Sequence, residues 1–244
     1  MIEKIQGIVL GTVRHSDRHN VVTLYTRSRG RMAVLSAAGT GRTARMRNAR
    51  LQPMAVIEAD IDIRSGRDLP RLGQFAPVRV WREIYFHPVK SSLAMFAAEF
   101  LGRLMRDSAP DGVMWDYVLS ALGVLDAAPA ARLANWHIAL LVSLLGFSGI
   151  MPDPDTWEPG RWLDMREGRF TAFPPPHADR LDPEGAAVAF SLERMDFLNA
   201  PRFRFSREER REVTRQLLRY FSVHFPGVAN LRSPEILGEI FDGM

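Results

Sequence analysis

GIVLGTVRHSDRHNVVTLYTRSRGRMAVLSAAGTGR, residues 7–42, decides how the fold is read. Three runs within it, Gly7–Val13, Val21–Thr26 and Arg31–Ala37, are rich in β-branched and apolar residues that largely alternate with polar ones, as half-buried strands do. HSDRHN and SRG separate them, clusters of residues that favour turns. Two further runs of the same kind follow, LQPMAVIEADIDI (51–63) and PRLGQFAPVRVW (70–81), with RSGRD between them. Five short strands in so short a stretch predict a small closed barrel, of which the oligonucleotide-binding (OB) fold is the five-stranded version. An SH3-like barrel is the structural competitor.

The third and fourth strands are joined by GTGRTARMRNARLQP (39–53), which holds Arg42, Arg45, Arg47 and Arg50 and no acidic residue. It reads as an irregular loop longer than most strand connections, which points to a binding role or to disorder. Arg27, Arg29 and Arg31 lie at neighbouring strand edges, and Arg14 and Arg18 in the preceding turn. Guanidinium groups bind phosphate oxygens bidentately, so the expected nucleic-acid-binding set is Arg14, Arg27, Arg29, Arg31, Arg42, Arg45, Arg47 and Arg50. The plain alternative is a solvated, charged connecting loop.

Charge distribution favours the binding reading. Residues 1–82 carry 15 Lys or Arg against 6 Asp or Glu, whereas the remaining 162 residues hold 17 basic and 22 acidic groups. Basic character is therefore concentrated at one end, where it attracts polyanions. Only Lys4 and Lys90 are lysines. That bias accompanies abundant Ala, Gly and Pro, as genome base composition alone can produce, so the weight rests on where the arginines lie. There is no cysteine, which excludes disulfides, thiolate zinc sites and a cysteine nucleophile and fits a cytoplasmic protein. MIEKIQGIVLGTV lacks the features of a signal peptide, and no run approaches the roughly 20 apolar residues of a membrane span.

After Trp81 the period changes to three and four. SSLAMFAAEFLGRLMRD (91–107), with Ser91 or Ser92 as N-cap, GVMWDYVLSALGVLDA (112–127) and ARLANWHIALLVSLLGF (131–147) read as helices, the last apolar nearly all round and therefore central. Residues 148–183 lose periodicity, with a small hairpin expected around Glu167 and Gly168. SREERREVTRQLLRYFSVHF (206–225) opens on a capping box of Ser206 and Glu209, and Pro234 opens a final short helix. The predicted fold is α+β: an OB-fold barrel over residues 1–82, then a helical domain over 83–244 with an irregular insertion at about 148–183.

Other chemistry finds little support. GTGRT lacks the spacing of a phosphate-binding loop, and neither a nucleophile elbow nor a zinc-protease helix occurs, so no catalytic residue is expected. His15, Asp17 and His19 alternate as metal ligands would, but no fourth ligand is identifiable, and a polar turn in which Asp17 supports its own backbone is the better reading. Asp60 and Asp62 read as solvated positions on an outward strand face, His137 as a hydrogen-bonded core residue, and His224 as facing the terminal carbonyls of its own helix. Neither a metal nor another cofactor is expected. Tyr25, Phe75 and Trp81 either stack on unpaired bases or fill the barrel.

The order of these pieces resembles the RecO family of recombination mediators. The resemblance runs from the opening strands through HPVKSSLAMFAAEFLGRLMRD and WHIALLVSLLGFSG to LLRYFSVHFPGVANLRSPEILGEIF, nearly the whole chain. It implies an OB-fold domain followed by a helical domain, and binding of single- and double-stranded DNA. It further implies annealing of complementary strands without nucleotide hydrolysis, and cooperation with RecR and the C-terminal tail of single-strand-binding protein to load RecA at the nucleoid. Many members carry four zinc-binding cysteines after the Gly-Phe helix, where this chain has none. Its insertion is expected to be held by Trp157, Trp162, Phe170 and Phe173 instead. An RNA-binding barrel and a non-catalytic protein-interaction scaffold are the competing readings.

Overall fold

The computed structural model describes residues 1–39, 41–63, 69–106, 109–229 and 231–233. The expected RSGRD turn and the helix opening at Pro234 lie outside the described residues. The chain divides into two compact units at Ala127/Ala128.

In the first unit, β1 (Ile2–Arg14), β2 (His19–Thr26), β3 (Gly30–Ala37), β4 (Val56–Asp62) and β5 (Arg71–Arg79) form a closed barrel in the order β1-β2-β3-β5-β4. Antiparallel pairing supplies all contacts but the last, where β3 and β5 meet in parallel at Leu35 and Arg71 and close the ring. Alternation explains the register. Ile57, Ala59 and Ile61 point inward with Ile5, Val9, Val22, Leu24, Val34 and Leu72, while Glu58, Asp60 and Asp62 face outward. The fourth strand starts later than its apolar run because Pro53 has no N–H for a ladder and Met54 sits at φ 66, reversing the chain. Met54 is nonetheless buried, donating its N–H to Val9 O and accepting Trp81 Nε1.

The connection expected to be an unstructured loop is instead a helix, α1 (Arg42–Ala49). RTARMRNA places Ala, Arg or Met, good helix formers, at all positions but Thr43 and Asn48 and has no proline, and Gly41 supplies the extended N-cap residue. Two longer helices, α2 (Pro88–Leu104) and α3 (Gly112–Ala127), belong to the same unit as the barrel. The α2 N-cap is His87 with Pro88 at the first helical position; Ser91 and Ser92 instead return their hydroxyls to Pro88 O, so neither caps the helix. Asp111, just before α3, accepts the N–H groups of Val113 and Met114. Its carbonyl receives the Tyr25 hydroxyl at 3.1 Å, tying α3 to β2.

The second unit is built around α4 (Trp136–Phe147), whose burial on nearly every side follows from its apolar circumference. It packs with α6 (Arg207–His224), where the Ser206–Glu209 capping box forms as the sequence predicts. His137 is buried, its Nε2 3.0 Å from Thr214 Oγ1. Thr214 spends its own hydroxyl proton on Arg210 O, so the ring donates.

Between α4 and α6 lie a small sheet, β6 (Trp162–Asp164), β7 (Arg169–Thr171) and β8 (Arg180–Leu181), and the helix α5 (Pro183–Leu192). The hairpin turns at Gly168, φ 62, as expected. An aromatic cluster holds this segment: Trp157 meets Phe170 edge-on at 5.0 Å and stacks on Phe190 at 4.9 Å, while Arg180 covers Trp162. Phe173 takes no part, being 81% exposed, and Phe190 of α5 fills the place expected of it. His224 bonds Met165 O at 2.8 Å rather than its own helix terminus.

Candidate nucleic-acid interface

Helix α1 sorts the four arginines of the connection into two groups. At about 100° per residue, Arg42, Arg45, Met46 and Ala49 share a face with the C-cap Arg50 beside it, and all five are exposed. Ala44, Arg47 and Asn48 form the other, half-buried face. Arg47 Nη2 donates to the carbonyls of Leu72 and Gly73, each at 3.0 Å, and its guanidinium covers the Phe75 ring at 5.2 Å. Burial lowers its pKa from the ordinary arginine value. Arg47 therefore fastens α1 to β5 instead of presenting charge to solvent.

The strand and turn arginines are placed less favourably than the sequence suggests. Arg14 pairs with Asp17 at 2.7 Å, Arg27 grips Asp116 through two hydrogen bonds of 2.9 and 3.3 Å, and Arg29 grips Glu3 through two of 2.8 and 2.6 Å. The Glu3 carboxylate raises the Arg29 pKa further, chiefly by hydrogen bonding. Arg31 is half-buried in β3 opposite Tyr25. Three of the expected phosphate ligands are thus occupied by the protein's own carboxylates; Glu3 and Asp116 lie on other elements and are invisible to a reading of the loop alone, whereas Asp17 stands three residues from Arg14.

Of the two readings open for the aromatic residues, the structure shows burial against the barrel. Tyr25 is 1% exposed, and burial with the nearby Asp111 charge pushes its pKa up to about 12. Trp81 is buried beneath the Arg79 guanidinium, and Phe75 is half-buried beneath Arg47. These rings are core and support. In the β1–β2 turn Ser16 Oγ, not Asp17, accepts the backbone N–H groups of Arg18 and His19. No group of three His, Cys, Asp or Glu that could hold a metal occurs among the described residues.

What the first unit presents is a cationic helical face on a five-stranded barrel. Models of two protein families match this chain: the N-terminal region of recombination protein O over residues 1–81, and its C-terminal region over residues 86–233. The chain belongs to the RecO family. A DNA repair protein RecO of Phocaeicola vulgatus is 32% identical over 241 residues, 99% of this chain and the whole of the relative. Another, from Bacteroides fragilis, is 30% identical over 243 residues with the same coverage. Similarity to the Anaeromyxobacter dehalogenans protein of that name, 32% identical, spans 62% of this chain and 59% of the relative. RecO is a family of DNA repair and recombination proteins, and the barrel-then-helices arrangement of this member is the α+β fold its sequence predicts. No helix among the described residues is long and apolar enough to cross a membrane.

The second unit of this RecO-family chain holds an apolar pocket of about 40 Å³, lined by Val142, Leu145, Leu163, Phe170, Phe190 and Tyr220 among others. Sequence reasoning did not find it, because α4, the insertion, α5 and α6 each contribute to its wall.

Proposed function

We propose that this chain binds single- and double-stranded DNA through residues 1–82, neutralising phosphates so that complementary strands can approach and pair. The observation that carries the reading is the exposed face of α1, with Arg42, Arg45 and Arg50 on it and no acidic residue in the helix. Gly41 offers no side-chain cap to the first N–H groups, and that positive helix end adds to the attraction for phosphate. Arg31 is a secondary contact in this reading. Arg14, Arg27 and Arg29 would reach phosphate only by giving up a carboxylate, so they contribute least.

The role is stoichiometric and not enzymatic: screening two polyanions from each other needs charge and no bond-making group. Cooperation with RecR in loading RecA on DNA coated by single-strand-binding protein is the partner reading that family resemblance suggests, in a cytoplasmic, nucleoid-associated setting. The apolar pocket of the second unit supports capture of the C-terminal tail of single-strand-binding protein, since it can receive an apolar terminal side chain.

The test is a fluorescence annealing assay on complementary oligonucleotides, bare and coated. Wild-type protein accelerates annealing, and Arg42→Ala/Arg45→Ala/Arg50→Ala loses most of the acceleration on either substrate. Acceleration equal to wild type in the variant would refute the assignment of α1. Preferential binding of RNA over DNA of identical sequence would favour the RNA-binding barrel instead.

A further inference from the structure

A second cationic strip lies in the helical unit, on the segment entering α6. Residues 197–207, FLNAPRFRFSR, contain three arginines and no acid. A 3-10 turn at Ala200–Arg202 hands over to extended backbone at Phe203, φ −76 and ψ 115, which continues to the Ser206 N-cap. Phe203 and Phe205 lie 6.1 Å apart, ring to ring, and are half-buried. They anchor the segment. Arg202 and Arg204, between and beside them, are exposed.

The ground beneath the strip is tied down by hydrogen bonds and is itself positive. Asn135 at the start of α4 donates its amide to Ala200 O at 3.0 Å and Phe203 O at 2.8 Å, and its Oδ1 receives Arg210 Nε at 3.0 Å. Arg210 also donates to Phe205 O. Burial, and then the charge of Arg207, lower the Arg210 pKa; the Arg210 charge in turn helps to hold His137 neutral. Glu209 of α6 is committed to the Ser206 cap, and Asp196 to the backbone of Leu198 and Asn199. Glu208, also exposed, is a further acid on this edge.

We infer that Arg202 and Arg204, backed by Arg207 and Arg210, form a second contact site for the phosphates of a polynucleotide strand. Alternate residues on an extended chain stand roughly 6.6 Å apart, comparable with successive phosphates on an extended single strand, so two neighbouring guanidinium groups can each take one phosphate. The nucleic-acid reading of the first unit favours a polynucleotide over an acidic peptide of like charge and spacing. The inference rests on the nucleic-acid reading of the first unit and extends it: one chain then grips DNA at two places, as a protein that brings strands together requires.

The experiment is fluorescence anisotropy of labelled oligo(dT) against salt, using full-length wild type, Arg202→Ala/Arg204→Ala, Arg202→Lys/Arg204→Lys and the α1 triple variant. Loss of two single-strand phosphate contacts makes the slope of log K against log salt shallower by roughly 1.4, with binding about three- to tenfold weaker at moderate salt. The lysine variant keeps the wild-type slope. Thermal melting of the alanine variant matches wild type, because both side chains are exposed. If the α1 variant loses slope and the Arg202/Arg204 variant does not, the second site is overturned and the first stands. Wild-type binding without salt dependence overturns both. Loss of oligo-glutamate binding with unchanged DNA binding assigns the strip to an acidic protein segment and also overturns the inference.

Discussion

Arg29 closes on Glu3 with both arms of its guanidinium fork, Nε 2.8 Å from Oε2 and Nη2 2.6 Å from Oε1. Arg27 makes the same kind of grip on Asp116. Both pairs are solvent-accessible, so each is worth at most about 1 kcal/mol to stability. Arg29→Ala and Arg27→Ala therefore leave the denaturation midpoint nearly unmoved and change the salt slope of DNA binding by less than one contact. A loss as large as that of the α1 triple variant would show that these pairs open to receive phosphate.

His137 makes the second unit sensitive to acid. Burial, with the Arg210 charge, depresses its pKa from 6.5 to about 3. The folded state thus keeps the ring neutral where the unfolded state protonates it. Its contribution is fully present above about pH 6.5 and is lost as pH falls toward 3, at up to about 1.4 kcal/mol per pH unit. Urea titrations at neutral pH and near pH 5 will show wild type losing more stability than His137→Gln over that interval. Parallel losses would place the proton elsewhere.

Gly168 and Tyr220 are coupled. A Cβ at Gly168 would stand 2.9 Å from the Tyr220 hydroxyl, and the backbone there has φ 62. That hydroxyl is anchored on Ile150 O at 2.8 Å, so it has little freedom to yield. Gly168→Ala should cost roughly 1–3 kcal/mol, from backbone strain and collision together. In a Tyr220→Phe background the added cost shrinks, a non-additivity that a double-mutant cycle reads directly.

The insertion depends on its aromatic cluster. Phe170 is 3% exposed and touches both Trp157 and Phe190, so Phe170→Ala should destabilise the protein by about 3–5 kcal/mol in chemical denaturation. Chelator treatment leaves the thermal midpoint of wild type where it was. A drop on adding EDTA would mean that a metal shares the task.

Which parts of this architecture were legible follows from the range of the interaction that sets them. Strand β4 announces itself because Ile57, Ala59 and Ile61 alternate with Glu58, Asp60 and Asp62, a pattern each residue carries locally. The Ser206–Glu209 box is equally local. Helix α1 is not, since its inner face is Ala44 with the stems of Arg47 and Asn48 and shows no apolar stripe. The pairs Arg29–Glu3 and Arg27–Asp116 depend on how strands and helices assemble across the fold, and no count of charges along the chain foretells them. The same holds for Phe190, which joins the insertion cluster from a different element than the Phe173 that sequence proximity suggested.

Salt dependence of oligo(dT) binding by wild type and by Arg42→Ala/Arg45→Ala/Arg50→Ala tests most directly whether the exposed face of α1 holds phosphates. Four to six contacts on a single strand give a wild-type slope of roughly −3 to −4, made shallower by about 2 in the variant. A slope near zero in wild type, or one the three substitutions leave unchanged, would contradict the account.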